Sequence, residues 1–118
     1  MSRIRKAVLA AQCGHAQRGL GEDGQTITVR YCFPPTSPVF DGHFPGKPVL
    51  PAVVQILMAQ LAIGDTQCQI ADAKFLEPVG PDEALVLTCL FTKMRWVCTI
   101  EKNGQRAAQI RFASCDMS

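Results

Sequence analysis

Apolar residues are arranged along the chain in one dense run and several alternating runs. From Val49 to Ile63 most positions are apolar, while Pro51 suits the first position of a helix and Gly64 suits the residue after its end. These signals predict a helix of about three to four turns. Because its apolar side chains cover most of the circumference, we expect the rest of the chain to wrap this helix.

The alternating runs predict an antiparallel sheet. Gln25 to Phe33 alternates polar and β-branched residues, as a half-buried strand does, and Asn103-Gly104 is a strong signal for a type I′ hairpin. The other predicted strands are Gln69 to Leu76, Ala84 to Phe91, Met94 to Glu101 and Gln105 to Cys115. One buried helix with several antiparallel strands predicts an α+β fold, and a chain of 118 residues predicts one domain over residues 1–118.

Other segments carry different signals. Residues 3–18 fit a helical and a strand period equally well, so both remain open. Gly19 to Gly24 predicts a turn. Pro34, Pro35 and Pro38 exclude a paired central strand and a helix, so we expect an extended loop up to the HFPG segment.

Composition and charge narrow the functional classes. Hydrophobic residues make up 47% of the chain and charged residues 19%, a usual balance for a globular protein. The formal net charge is only +2 and the basic residues are spread thinly, so we expect no nucleic-acid partner. The longest apolar run falls short of the roughly 18 residues of a membrane span, and no secretory signal is evident. We therefore expect a cytoplasmic protein without a membrane span.

Cysteine and histidine usage gives no sign of a metal site. No two of the six cysteines form a CxxC pair, so we expect reduced, mostly buried thiols. The two histidines, His15 and His43, have no metal-ligand spacing, and His15 is interpreted as a surface residue. We expect neither a metal nor another cofactor. Phe75 and Trp96 lie on alternating strands and are interpreted as core residues rather than walls of an acyl tunnel.

His43 lies in a loop whose glycines allow unusual backbone angles and whose prolines stiffen it. An imidazole has an ordinary pKa of about 6.5 and can accept a proton at neutral pH. Eight residues later the predicted helix begins, and its first N–H groups lack intrahelical partners at the positive end of the dipole. Such a pair suits removal of a proton next to a thioester carbonyl, because negative charge moves onto the carbonyl oxygen. A lone histidine in a loop is more often structural, so spacing alone is weak support.

The string HFPGKPVLP, followed by an apolar helix, resembles the β-hydroxyacyl-ACP dehydratase family, whose pattern is close to GHFPGxPxxPG. The matching positions are Gly42, His43, Phe44, Pro45, Gly46, Pro48 and Pro51. The resemblance runs from about Thr26 to Cys115 and implies a hot-dog fold, in which an antiparallel sheet wraps a central helix. It also implies a homodimer with sites at the subunit interface, and dehydration of a (3R)-hydroxyacyl thioester on acyl carrier protein to a trans-2-enoyl thioester.

The same resemblance implies roles for individual residues. His43 is the base, and the backbone amide of Ala52, a glycine in most relatives, binds the thioester oxygen. The family places Glu or Asp six residues after the proline at the helix start, where this chain has Leu57. Gln60 lies about 60° around the helix from Leu57 and is the nearest polar residue that leans toward the site. The positions assigned to substrate binding are Phe44, Pro45, Gly46, Val53 and Met58.

The missing acid leaves three interpretations open. In the first, the protein dehydrates with an acid supplied by Asp41 or by water held by Gln60. In the second, it contributes His43 to a heterodimer with a relative that carries the acid. In the third, it binds acyl thioesters, or acts on them as an isomerase or thioesterase. Loss of an acid from a proton-transfer pair typically costs roughly a hundred- to ten-thousandfold in rate, so we expect a homodimer to dehydrate slowly.

Overall fold

The structure is a computed structural model that describes residues 2–22, 24–41, 46–65 and 67–113. Within these ranges the chain forms two α-helices, a short 3₁₀ helix and six strands. The helices are α1 (Ser2–Ala11), the 3₁₀ helix (Pro38–Phe40) and α2 (Ala52–Ile63), and the strands are β1 (Gln17–Gly21), β2 (Gly24–Tyr31), β3 (Ile70–Phe75), β4 (Leu85–Thr92), β5 (Arg95–Lys102) and β6 (Gln105–Phe112).

The strands form one sheet in the order β1-β2-β4-β5-β6-β3, and every neighbouring pair is antiparallel. Helix α2 packs against β2 and β4, the second and third strands in this order. The largest fully buried side chains that the sheet contributes to the core are Ile27, Leu85, Leu87, Ile100, Ile110 and Phe112. The predicted strands and the α+β class are confirmed, and β1 and β3 form the two edges of the sheet.

Helix α2 begins one residue later than predicted, with Pro51 as its N-cap, and ends at Ile63, so Gly64 follows its end as predicted. Gly64 has a φ of 79°, and its N–H bonds to the carbonyl oxygens of Gln60 and Leu61 at the helix end. The chain wraps only part of the helix, because one face packs on the sheet while Val53 is 61% exposed and Leu57 is half-buried. The buried residues of α2 are Val54, Gln55, Met58, Ala59 and Ala62.

The N-terminal segment resolves the open choice between helix and strand. It forms α1, whose Val8 and Ala11 enter the core, and it then continues into β1. The turn predicted over Gly19 to Gly24 is wrong in its extent, because β1 continues to residue 21 and pairs Gly19 with Thr26. A Cβ at position 19 would lie 3.0 Å from the Thr26 hydroxyl, so glycine suits this close pairing.

The proline-rich segment after β2 is not extended throughout. Pro38 starts the short 3₁₀ helix, where its missing N–H is no loss, and Ser37 Oγ accepts a hydrogen bond of 3.4 Å from Val39 N–H. Val39 and Phe40 are buried against the core. The packing of these two side chains, which the proline spacing does not reveal, accounts for the local helical turn.

The cysteines only partly fulfil the prediction of reduced thiols. Cys13, Cys32, Cys89 and Cys98 are free, and the last two face each other across β4 and β5 in the core. A hydrogen bond with Cys89, together with burial, raises the pKa of the Cys98 thiol, so it stays protonated. Cys68 is disulfide-bonded, so the prediction is wrong there. Cysteine usage therefore gives no support to a cytoplasmic location.

Candidate functional site

The histidine motif lies largely outside the described residues. Gly42, His43, Phe44 and Pro45 fall in this gap, so their predicted roles remain predictions. Gly46 follows as an exposed residue with a φ of 86°. Leu50, which is buried, donates a backbone hydrogen bond of 2.7 Å to Val79 O. This bond fixes the end of the motif against the segment before β4.

The start of α2 presents two backbone amides without acceptors among the described residues. Val54 N–H and Gln55 N–H both donate to Pro51 O, at 3.1 and 3.2 Å, whereas Ala52 and Val53 N–H have no partner there. The first turn of the helix contains no acidic residue that would neutralise its positive end. Such a helix start is chemically suited to bind an oxygen that becomes negatively charged. The role of Ala52 in binding the thioester oxygen stays a prediction.

A pocket of about 320 Å³ lies between this helix start and the end of β3, and we call it the strand-side pocket. Its residues are Val49, Leu50, Pro51, Ala52, Gln55, Phe75, Glu77 and Pro78. Its far wall is fixed by hydrogen bonds of 2.8 and 3.2 Å from Leu76 and Glu77 N–H to Ala107 O. Phe75 is 41% exposed, so its interpretation as a core residue is wrong, whereas Trp96 is buried as predicted.

Gln55 is the polar side chain inside the strand-side pocket that sequence reasoning missed. It is only 4% exposed, and its Nε2 donates a 3.1 Å hydrogen bond to Leu50 O, five residues earlier. Its Oε1 is buried and has no hydrogen-bond partner among the described residues. A buried acceptor without a partner costs about 1–3 kcal/mol. The signal that was available is a glutamine one turn after Ala52, within an otherwise apolar stretch.

A second pocket, of about 380 Å³, lies between α1, the 3₁₀ helix and α2, and we call it the helix-side pocket. Its residues are Ile4, Pro38, Val39, Asp41, Pro51, Val53, Val54 and Leu57. The Asp41 carboxylate accepts a 2.8 Å hydrogen bond from the Arg3 guanidinium, and both side chains are more than half exposed. Leu57, where the resemblance predicts an acid, therefore lines the same pocket as the Asp41 carboxylate.

Ala52 and Leu57 belong to different pockets. Residues five apart on a helix point about 140° away from each other, and Ala52 lines the strand-side pocket while Leu57 lines the helix-side pocket. One chain thus does not bring the two positions together. A site that combines a helix start with the position of Leu57 requires a second subunit, as the resemblance implies.

The remaining predicted site residues are dispersed. Val53 lines the helix-side pocket, and Gln60 is half-buried and lines neither pocket. Met58 is completely buried in the core and also lines neither pocket. Truncating such a residue to alanine typically costs about 2–5 kcal/mol in the free energy of unfolding. Met58 therefore contributes to the stability of the fold that holds the site.

No helix of the described residues is long and apolar enough to cross a membrane.

Relatives of known class are similar to part of this sequence. It is 36% identical to 3-hydroxyacyl-acyl-carrier-protein dehydratase FabZ of Aeromonas hydrophila, over 49% of this chain and 48% of the relative. It is 28% identical to the FabZ of Klebsiella pneumoniae, over 63% of this chain and 59% of that protein. The chain spans about half the length of the Aeromonas relative that it matches.

Solved structures show the fold. The dehydratase heterocomplex ApeI:P from Xenorhabdus doucetiae matches with a TM-score of 0.66 and 24% identity over 88% of this chain and 99% of that one. The E. coli PaaI protein matches with a TM-score of 0.58 and 14% identity over 94% of this chain and 86% of that one. The hot-dog fold is thereby confirmed. A family model described as ApeI-like, ApeI dehydratase, matches residues 20–111, which is most of the chain. This range includes α2 and every residue that lines the two pockets except Ile4. The match shows that the chain belongs to the ApeI-like dehydratase family.

Proposed function

We propose that this protein removes water from (3R)-hydroxyacyl thioesters carried on acyl carrier protein and gives trans-2-enoyl thioesters. The observation that carries the proposal is the start of α2, where the Ala52 amide is without an acceptor among the described residues and lines a largely apolar pocket. An apolar pocket with one oxyanion-binding amide suits an acyl thioester. The family match and the FabZ relatives support the same reaction class.

In the proposed reaction, the thioester carbonyl accepts a hydrogen bond from Ala52 N–H. His43 takes the proton from C2, and the electrons of that C–H bond form the C2–C3 double bond. The C3–O bond breaks, and the hydroxyl group takes up a proton and leaves as water. No electrons are gained or lost overall, so these steps need no redox cofactor. The role of His43 rests on the sequence motif, because residues 42–45 lie outside the described part of the chain.

Asp41 is the residue that we propose to protonate the leaving hydroxyl; its carboxylate, paired with Arg3, first takes up a proton from water and then gives this proton to the hydroxyl. Leu57 has no ionisable group, but Asp41 lines the same helix-side pocket. In a dimer, the position of residue 57 in one subunit faces the histidine loop of the other, as the resemblance implies. A carboxyl group in that pocket then stands in for the missing helix acid.

A heterodimer is the second candidate, and it is motivated by the leucine at position 57. In this arrangement the chain contributes His43 and the Ala52 amide, and a relative with Glu or Asp on its helix contributes the acid. The partly exposed face of α2, with Val53 at 61% exposure, is compatible with a protein partner. The Xenorhabdus doucetiae neighbour, which is a dehydratase heterocomplex, motivates the same possibility.

The test of the proposed function compares wild type with His43→Ala on hydroxyacyl thioesters bound to acyl carrier protein. Loss of one water is followed by mass spectrometry, and the reverse hydration is measured with the enoyl thioester. Removal of a general base should lower the rate roughly a hundred- to ten-thousandfold. His15→Ala is the matched control, because His15 is exposed and lies outside both pockets. Equal rates for wild type and His43→Ala would overturn the role of His43.

A further inference from the structure

We propose that Gln55 is a specificity-determining residue that recognises the 3-hydroxyl group of the acyl thioester. Its Oε1 accepts a hydrogen bond from that hydroxyl while the Ala52 amide holds the thioester carbonyl. This inference rests on the proposed function, because it places the same class of substrate in the strand-side pocket. It assigns the choice between hydroxylated and saturated acyl groups to one side chain.

The first step is the unmet hydrogen-bonding capacity of Gln55. Gln55 is only 4% exposed, and its Oε1 has no hydrogen-bond partner among the described residues. Most buried polar atoms in folded proteins have a protein, water or ligand partner. Gln55 also lines the strand-side pocket, so a small turn of its buried carboxamide brings Oε1 within reach of a donor group that enters this pocket.

The second step is the orientation of the carboxamide. Nε2 donates to Leu50 O at 3.1 Å. The opposite orientation would place the two carbonyl oxygens against each other, and both are acceptors, so the hydrogen-bond network fixes which end of the amide is free. The free end is an acceptor. The pocket therefore selects a ligand that carries a donor, such as a hydroxyl group, at this point.

The third step is the match in spacing between the protein groups and the substrate groups. Ala52 and Gln55 are three residues apart in α2, and such residues are neighbours on one helix face, with Cβ atoms about 5–6 Å apart. The long side chain of Gln55 reaches back to Leu50, beside the helix start. In a 3-hydroxyacyl thioester, only one methylene carbon separates the carbonyl carbon from the carbon that carries the hydroxyl. One ligand can therefore donate to Gln55 and accept from Ala52 at the same time.

The other groups of the pocket do not provide this selection. Glu77 is the one ionisable side chain among the described residues that line it, and Glu77 is exposed, so water competes for its carboxylate. The side chains of Val49, Pro51 and Phe75 are apolar and contact the acyl group without distinguishing a hydroxyl group. A saturated acyl chain would leave Oε1 buried without a donor.

The experiment measures the Kd of two pantetheine amides, one with a 3-hydroxyacyl group and one with a saturated acyl group of equal length. The amide linkage keeps the carbonyl acceptor and makes both probes poor substrates. Wild type should bind the hydroxylated probe roughly tenfold more tightly, as one buried hydrogen bond allows. In Gln55→Met the ratio of the two Kd values should fall to about one. The ratio within one variant is unaffected by its folded fraction, so a merely structural role of Gln55 would not change it.

The outcomes separate this inference from the proposed function. Equal Kd values for the two probes in wild type would show that Oε1 is satisfied by water alone, which overturns the role of Gln55 and leaves the function standing. A preference that survives in Gln55→Met would also overturn it. Binding of neither probe would overturn the proposed function together with the inference. Gln105→Met, at an exposed glutamine outside both pockets, should keep the wild-type ratio. If Gln55→Met does not fold, the wild-type comparison decides.

Discussion

Asp41 and Leu57 line the same pocket although they come from different elements of the fold. Asp41 follows the 3₁₀ helix, and Leu57 lies in the middle of α2. Arg3, from α1, donates to the Asp41 carboxylate at 2.8 Å and holds it at the edge of this pocket. The helix-side pocket therefore contains a carboxylate, that of Asp41, although α2 has leucine at position 57.

Asp41→Asn should lower dehydration roughly a hundredfold or more, because it removes the proton donor and keeps the shape of the side chain. The measurement is the rate of enoyl thioester formation at saturating substrate. Arg3→Gln is the matched control, since it removes the cationic partner and keeps the carboxyl group. Both variants should keep nearly wild-type stability, because an exposed ion pair is worth about 0–1 kcal/mol. An unchanged rate in Asp41→Asn would exclude Asp41 as the acid.

Leu57→Glu should raise the rate of dehydration by the homodimer. It restores a carboxyl group at the family position, and the apolar surroundings of the helix-side pocket favour the protonated form that can donate to the leaving hydroxyl. Leu57→Gln is the control, because it adds polarity and length without an acid. A rate increase in both variants would contradict the explanation. If wild type and Leu57→Glu are equally inert, the missing acid is not what limits the rate, and the scaffold serves another purpose. Co-purification of a relative that carries the acid would instead favour the heterodimer.

The sequence predicted those parts of the site that depend on local signals. Pro51 and Gly64 bound α2 to within one residue, and this sufficed to place the Ala52 amide at the helix start. Gln55 was missed because its importance comes from a contact with Leu50 O and from its burial beside the strand-side pocket, neither of which follows from helical spacing. The sharing of one pocket by Asp41 and Leu57 depends on how the proline-rich segment folds back onto α2.

Of the two hairpin turns that flank β5, local sequence signals predict one and miss the other. Asn103-Gly104 was predicted as a tight turn, and both residues have positive φ angles, 52° and 76°. The turn before β5 has the same signs of φ, 51° at Lys93 and 64° at Met94, but neither residue favours that conformation. Pairing between β4 and β5 over eight residues imposes this turn, and local propensity does not reveal it.

Replacing Lys93-Met94 by Asn-Gly should therefore stabilise the protein. A left-handed conformation costs an ordinary residue about 1–2 kcal/mol, which the Asn-Gly variant largely avoids. Glycine also makes the unfolded chain more flexible, and this reduces the gain in stability. We expect a net gain of about 1 kcal/mol in the free energy of unfolding, measured by urea denaturation. The reverse change, Asn103-Gly104 to Lys-Met, is the matched control and should destabilise the protein. A loss of stability in the Asn-Gly variant would mean that the exposed Met94 side chain contributes more than the backbone costs.

Tyr31 should make stability fall at alkaline pH. Burial, together with the nearby Cys89 thiol, raises the pKa of Tyr31 from 10.0 to about 12. The folded protein thus keeps the phenol proton at pH values where the unfolded chain releases it. The stabilisation is complete below about pH 10 and is lost as the pH rises through about 12, a change of roughly 2–3 kcal/mol.

Two measurements test this dependence on Tyr31. Since the chain contains one tyrosine, tyrosinate absorbance during a pH titration reports Tyr31 alone, and its midpoint should lie near pH 12 in the folded protein. Tyr31→Phe keeps the ring that stacks on Phe33, with centroids 6.2 Å apart, and removes the ionisable hydroxyl. Its stability should fall less than that of wild type between pH 10 and 12. A wild-type midpoint near pH 10, or identical pH profiles for the two proteins, would show that the folded protein does not shield this hydroxyl.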